Sequence, residues 1–593
     1  MSTIGNRIQS LQNYMKKENI DALYISGTDV HLCEYVAPRF RTREWITGFT
    51  GSAGTVILTK EETHLWVDSR YYIQGALQVE NTPIVLEKLG MDGVRDPFEW
   101  LAQQSVVIKV LGIDKNSISV ASFRTIQEVT NKTGIEIVLL DDFFDSIWSM
   151  RPLSPYSPII EMKESVAGVS RKKKIASIRS LLKAKGADST IISTLDDIAW
   201  ITNLRAGDLP HTPVFFSYMI ITQDEAIVCT QTSRFSDSLL KEISKEITIV
   251  EYEEMSERIS SLLSSSSTLY LSPEQTTMSV YSLVDGKMPI IEGPNISTAL
   301  KAVKNEVEVE GMRRAHLLDG IALVKLLSHI AKGEETFNEV TLAKQLETYR
   351  EEQDEYLSPS FSPIAGFGPH GAMEHYSATT MSNAILEGNS LLVLDTGGQY
   401  VSGTTDVTRT LCFGEPTDQM KKDYTLVLKG NLALSVIRFP KGTCGYQLDV
   451  LARQFLWQAG LLYGHGTGHG VGYRLNVHEG PHNISPKPIK VPLVPGMIIS
   501  NEPGLYRKGE YGIRLENLIT VFEEATTKFG PFYTFEVLTL CPFDISLIET
   551  SLMSEEEIVM LNAYHGWVFS ELKDHLPPEA KEWLQKATLP LTK

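Results

Sequence analysis

Apolar and polar positions alternate with two periods in the first half of the chain. Ile8, Leu11 and Tyr14 recur at helical spacing within 4–17, and Asp21-Ala22-Leu23-Tyr24-Ile25 then reads as a buried strand. A loop punctuated by Gly48, Gly51 and Gly54 feeds a second strand up to Leu58, and 65–71 continues the sheet before turning. The order returns one domain later: 188–193 echoes 21–26, and 215–222 with 224–228 echoes 56–66. This pattern predicts an internal repeat, two α/β domains of like plan. Arg171-Lys172-Lys173-Lys174, after a stretch holding Pro152, Pro155 and Pro158, reads as the solvated basic face of a helix. The serines at 264–267 read as a loop before the strand Leu269-Tyr270-Leu271.

A third region opens at Lys304. Met312, Leu317, Ile321, Val324, Leu327 and Ile330 predict a long amphipathic helix, and beyond Leu357 the texture turns to glycine-rich loops and short strands. Past Pro531 a strand-like piece at 535–540 and two helical patterns, around Trp567 and Trp583, are expected to pack on this third domain.

Charge placed against apolar runs singles out 390–520. Asp395 ends the run Leu391-Leu392-Val393-Leu394, and Asp406 lies in Gly403-Thr404-Thr405-Asp406. His469 sits in Gly464-His465-Gly466-Thr467-Gly468-His469-Gly470, Glu502 in Ser500-Asn501-Glu502-Pro503-Gly504, and Glu516 in Arg514-Leu515-Glu516-Asn517. A carboxylate beside a buried strand is costly unless something compensates it. Gly397, Gly398 and Gly403 permit a hairpin that brings Asp395 and Asp406 together, and Arg514 and Glu516 share one face by the period of two. Alone, each acid reads as a cap or a salt bridge. Together, in this order, they spell a two-metal site, because without cations the acids would repel one another. Oxygen-rich ligation with one imidazole and no thiolate favours Mn²⁺, with Co²⁺ or Zn²⁺ as alternatives. Two such ions would lower the pKa of a shared water and give a hydroxide bridging them at neutral pH.

Composition narrows the class. A chain of 593 residues with 42% apolar and 22% charged content calls for several cores. The formal charge of −18 disfavours a nucleic-acid partner. The glycine loop at 48–54 lacks the Gly-Lys-Ser/Thr of a phosphate cradle. Cys33, Cys229, Cys412, Cys444 and Cys541 are scattered without a CxxC pair and read as reduced thiols. No signal-peptide core opens the chain and no apolar run reaches membrane-spanning length, so a cytoplasmic enzyme without a membrane partner is expected.

With these surroundings, Asp395, Asp406, His469, Glu502 and Glu516 resemble the dinuclear metallopeptidases of the pita-bread fold. Segments 45–56 and 66–74, Leu195-Asp196-Asp197-Ile198-Ala199-Trp200, Pro213-Val214-Phe215-Phe216, 371–376 and Asn476-Val477-His478-Glu479-Gly480-Pro481 extend the likeness to the X-Pro aminopeptidase family in its long, three-domain cytosolic form. The resemblance implies an α/β (α+β) chain. Two creatinase-like N-terminal domains (1–154 and 155–303) precede a pita-bread catalytic domain (304–530) and a C-terminal extension (531–593) packed on it. It implies removal of an N-terminal residue ahead of proline, with peptides as substrates and a homodimer as the assembly. Asp395 would bind one metal, His469 and Glu502 the other, and Asp406 and Glu516 would bridge them, with Glu502 counted among the catalytic groups. His375 and His478 match two further active-site histidines that hold substrate and developing oxyanion and move protons. His469 and, in the first domain, Arg70 would also touch substrate, and His465 and Arg514 would support the ligands from behind. A prolidase cutting only X-Pro dipeptides, and a catalytically inactive peptide-binding module, are the alternatives. The methionine aminopeptidases need no preceding pair of α/β domains.

Overall fold

In the computed structural model, which describes residues 3–380 and 382–593, the helix Thr3–Glu18 buries Ile8, Leu11 and Met15. Tyr14 is only half-buried and stacks on Phe143 at 4.7 Å. Two compact units make up the chain: Met1–Glu164 with Val169–Ala299, and Ser165–Gly168 with Leu300–Lys593.

The first unit holds two six-stranded sheets of one topology. In the first sheet, Ala22–Ile25 lies between the antiparallel Thr55–Thr59 and the parallel Val110–Asp114. Thr63–Val67 and Ile84–Lys88 continue one flank, and Glu136–Leu140 closes the other. In the second, Ser189–Ile192 takes the central place between Tyr218–Thr222 and Leu269–Leu271, with Ala226–Cys229, Thr248–Val250 and Ile290–Glu292 outside. Strand order and the sense of every pairing agree between the two sheets, so the repeat read from the apolar pattern is a repeat of topology. Backbone hydrogen bonds weld the halves: Val120 N donates to Thr276 O at 2.9 Å and Met278 N to Ile118 O at 3.0 Å. His31 is buried at the same junction, with Nδ1 2.9 Å from Ser193 O and Nε2 3.0 Å from the Tyr252 hydroxyl.

Two local expectations are corrected. The run Arg171–Lys174 opens the helix Arg171–Ala184, but only Lys172 and Lys173 face solvent. Arg171 and Lys174, one helical turn apart, point inward; Lys174 Nζ donates to Trp200 O (2.9 Å) and Asn203 Oδ1 (2.7 Å) and lies over the Trp200 ring. The serine run is not all loop either, since the helix Met255–Ser265 takes in its first two residues.

In the second unit, a capping box of Asn305 and Glu308 starts the helix Glu306–Lys332, and Gly333 at φ +63° ends it. Its buried stripe includes Met312, Ile321, Val324 and Leu327, whereas Leu317 and Ile330 are partly buried. A three-stranded sheet of Ile364–Phe367, Ser390–Thr396 and Val407–Phe413 and a six-stranded sheet containing Gly468–Gly470, Ile498–Asn501, Asn517–Thr527 and Gly530–Val537 carry the chemistry-bearing residues. The expected tail strand begins earlier than the pattern suggested, at Gly530, and forms an antiparallel hairpin with Asn517–Thr527. Both tail helices are present, Glu555–Leu572 and Pro578–Ala587, and Val568, Leu572 and Leu584 pack with Ile321 and Val324 of the long helix.

Candidate metal centre

The charged residues stand at strand ends, where the ladder stops and side chains turn toward one place. Asp395 is the penultimate residue of Ser390–Thr396 and pairs in register with Thr408; Asp406 immediately precedes Val407–Phe413. The expected hairpin between the two acids is therefore present. His469 is the middle of Gly468–Gly470, Glu502 follows Ile498–Asn501, and Glu516 precedes Asn517–Thr527. Glu516 N donates to Thr408 O at 3.0 Å, joining the two sheets where their acids meet, and Glu502 N donates to Thr467 O at 2.8 Å. Arg514 and Glu516 do not share a strand, because Tyr511–Arg514 ends before Glu516. Both still reach Thr408 Oγ1, Arg514 Nε at 3.3 Å and Glu516 Oε2 at 2.8 Å, so the shared face survives the break.

Asp406, His469 and Glu516 each offer a ligand atom, all within 4.8 Å of one another. His469 Nε2 lies 3.5 Å from Asp406 Oδ2 and 3.6 Å from Glu502 Oε1. Its Nδ1 faces Gly470 O at 2.9 Å, which places a ring proton on Nδ1 and turns Nε2 to the carboxylates. Ser500 Oγ donates to Glu502 Oε1 (3.2 Å) and accepts from His469 N (2.9 Å). Arg514 Nη2 donates to Asp395 Oδ2 at 2.6 Å and its Nη1 to the Tyr506 hydroxyl at 2.7 Å, which in turn lies 2.9 Å from His465 Nε2. Asp395 Oδ1 and Glu516 Oε1 are buried with no hydrogen-bond partner among the described residues.

The electrostatics follow from that crowding. Burial, aided by Asp406, raises the Asp395 carboxyl above its ordinary value against the pull of Arg514. Burial, with Asp406, Glu502 and Asp395 adding to it, pushes Glu516 far up. Glu502 is lifted by burial to about 7, although His469 and Arg514 pull it down. Burial works against a charge on His469, but Asp406 and Glu502 outweigh it and raise the imidazole to about 9. Acids this close cannot all ionise unless cations join them. The residues fit divalent cations on these grounds: buried carboxylate oxygens without donors, an imidazole nitrogen aimed at the acids, and no thiolate in the group.

The other expected residues fall into two sets. The His478 ring meets that of His469 edge-on at 4.4 Å. His375 is half-buried in the turn after the short helix Gly368–Ala372, and the carbonyl of its neighbour Glu374 accepts from Arg514 Nη1 at 3.2 Å. Arg70 belongs to the first unit, where its guanidinium grips Asp68 through Nε (2.9 Å) and Nη2 (2.7 Å). Sequence reasoning passed over Thr408, Ser500 and Tyr506. The first two were within reach, because each stands two residues from a named acid and so shares its face; Tyr506 carried no such signal.

Residues 310–523 match the model of metallopeptidase family M24, and 531–591 that of the C-terminal region of this peptidase family. Residues 7–147 and 150–308 each match a creatinase/prolidase N-terminal domain. The chain is 39% identical to a probable Xaa-Pro aminopeptidase P of Botryotinia fuckeliana over 606 residues, covering 99% of this chain and 92% of that one. The crystal structure of X-prolyl aminopeptidase from Caenorhabditis elegans, described as a cytosolic enzyme with a di-nuclear active site, is 32% identical and matches with a TM-score of 0.95 over 100% of both chains. An Xaa-Pro dipeptidase from Bacillus anthracis (24% identical, TM-score 0.52) has the same fold over 63% of this chain and 99% of its own. Creatinase-type N-terminal domains, a pita-bread domain and this full-length likeness lead to one assignment: the chain belongs to the Xaa-Pro aminopeptidase P family of M24 metallopeptidases.

Proposed function

We propose that this enzyme removes the N-terminal residue from peptides with proline in the second position. The observation that carries the proposal is the cluster of Asp406, His469 and Glu516, with Glu502 3.6 Å from His469 and with buried oxygens of Asp395 and Glu516 that lack donors. Asp395 would hold one divalent cation and His469 and Glu502 the other, with Asp406 and Glu516 as ligands that would serve both. A bound pair of Mn²⁺ ions supplies Lewis acidity to water and to the scissile carbonyl. Co²⁺ or Zn²⁺ can take its place.

The protein's own groups do the rest. Thr408 and Arg514 fix Glu516 and Asp395, and Ser500 fixes Glu502. Glu502 accepts the proton of the attacking water. His478, against His469, and His375 hold the substrate and the oxygen on which charge develops, and carry the proton taken up by Glu502 on to the departing nitrogen. That nitrogen belongs to proline, whose peptide bond offers no N–H and a fixed ring, so recognition rests on shape rather than on an amide donor. Arg70 belongs to the same reading as a substrate-binding residue.

The domain division at 1–154, 155–303, 304–530 and 531–593 belongs to the same reading, supported by the two like sheets and the ranges of the family matches. So does a homodimer in the cytoplasm, a location supported by the relative described as cytosolic. No helix among the described residues is long and apolar enough to cross a membrane.

The test combines metal analysis of the purified protein with cleavage of an Xaa-Pro-Xaa tripeptide. Two ions per chain are expected, with activity abolished by a chelator and restored by Mn²⁺. Full turnover by metal-stripped protein overturns the proposal, and cleavage confined to Xaa-Pro dipeptides reassigns the enzyme to the dipeptidases.

A further inference from the structure

Glu339 is wholly buried at the start of the helix Glu339–Glu351 and belongs to no group considered so far. Its carboxylate gathers donors from both ends of the segment that presents His375. Phe367 N (2.8 Å) and His370 Nδ1 (2.8 Å) meet Oε1. The Tyr376 hydroxyl (2.9 Å) and Ala384 N (2.8 Å) meet Oε2. Glu339 N returns a bond to Ala384 O at 3.1 Å, and the His370 and Tyr376 rings stack at 4.5 Å. Phe367 ends the strand that pairs with the one carrying Asp395. On the other side the segment is pressed against Gly512, where a Cβ would stand 1.7 Å from Gly371 O. His375 thus sits between clamped neighbours, next to Tyr376 and beyond His370. A buried carboxylate with this many charge-assisted bonds organises backbone that would otherwise be a loose loop.

We infer that Glu339 is a positioning residue for the reaction: it staples the chain on either side of His375, at 367–376 and at Ala384, and so sets where His375 meets the substrate. The inference rests on the proposed role of His375. Gln has one acceptor oxygen where Glu has two, and its amide group would confront N–H or O–H donors in a dry site.

The test measures kcat, KM and metal content of Glu339→Gln, His375→Ala and the double variant on an Xaa-Pro-Xaa tripeptide. Glu339→Gln is expected to lower kcat roughly 10- to 100-fold with KM changed far less, metal content unchanged, and no further loss when His375 is already Ala. Tyr376→Phe, which removes a single donor, is expected to show the same pattern at roughly 3- to 10-fold and serves if Glu339→Gln does not fold. Losses that multiply in the double variant, or full turnover by both Glu339→Gln and Tyr376→Phe, overturn the inference while the role of His375 stands. An unimpaired His375→Ala overturns both, and identifies the role of His375 as the part that failed.

Discussion

His31 in the first unit and His469 in the second are both packed among side chains and both use their two ring nitrogens, yet they respond to burial in opposite ways. His31 faces a carbonyl and a phenol; desolvation outweighs the hydrogen bond to the Ser193 carbonyl, and its pKa falls to about 3. His469 faces Asp406 and Glu502, and its pKa rises to about 9. Neutral partners make a histidine part of the core, whereas anionic partners make it part of a charge problem that only cations solve. The same contrast separates two groups of buried charges. In the first, the buried Asp208 and Arg234 neutralise each other at 2.5 Å; in the second, one guanidinium, Arg514, faces a group of acids.

The strongest way to break this comparison is to remove an acid. Glu516→Ala is expected to empty the metal centre and to lower turnover by ~10³-fold or more, equivalent to about 4 kcal/mol. Metal analysis beside the tripeptide assay reads both, and normal turnover would remove Glu516 from its bridging place.

Next in size is an opposition of pH slopes in protein stripped of metal. The folded-state pKa of His31 lies below its usual 6.5, so the fold binds fewer protons than the unfolded chain, and stability is lost as pH falls from 6.5 toward about 3. That amounts to on the order of 4 kcal/mol over the whole range. The pKa of His469 lies above 6.5, so its contribution is present below that value and lost as pH rises through about 9. Thermal unfolding across this range should show His31→Phe flattening the acid limb only and His469→Phe the alkaline limb only. If one substitution changed both limbs, the contrast between the two sites would fail.

A smaller effect sharpens the comparison within the first unit. Lys174→Ala should cost about 2 kcal/mol by urea unfolding, because its ammonium is buried on two acceptors. A cost within about 0.5 kcal/mol is what a solvated position would give. Least of all, Arg70→Ala should raise KM roughly 5-fold while moving stability by less than about 1 kcal/mol, since its pair with Asp68 is partly exposed. An unchanged KM would leave Arg70 as a partner of Asp68 and nothing more.

What the sequence disclosed follows from what each signal depends on. The sheet repeat was legible because apolar runs and glycine turns are local properties, and they recur in order at 21–66 and 188–228. The grouping of the acids was legible because a carboxylate closing a strand contradicts its surroundings. Lys174 was misread because a basic run shows charge but not which helical face meets Trp200 and Asn203. Glu339 was invisible because its partners lie between 367 and 384, and no local pattern links a helix start to a loop that far along the chain.

The hairpin of Asn517–Thr527 with Gly530–Val537 bears on how this protein can be handled. Any shortened version that stops at the hairpin tip strips an interior strand of its neighbour and leaves a sticky border beside Glu516. It also removes the carbonyls of Cys541 and Pro542, on which the Arg409 guanidinium rests while it donates to Glu516 O. The last ninth or so of these 593 residues is therefore a buttress of the reaction chamber.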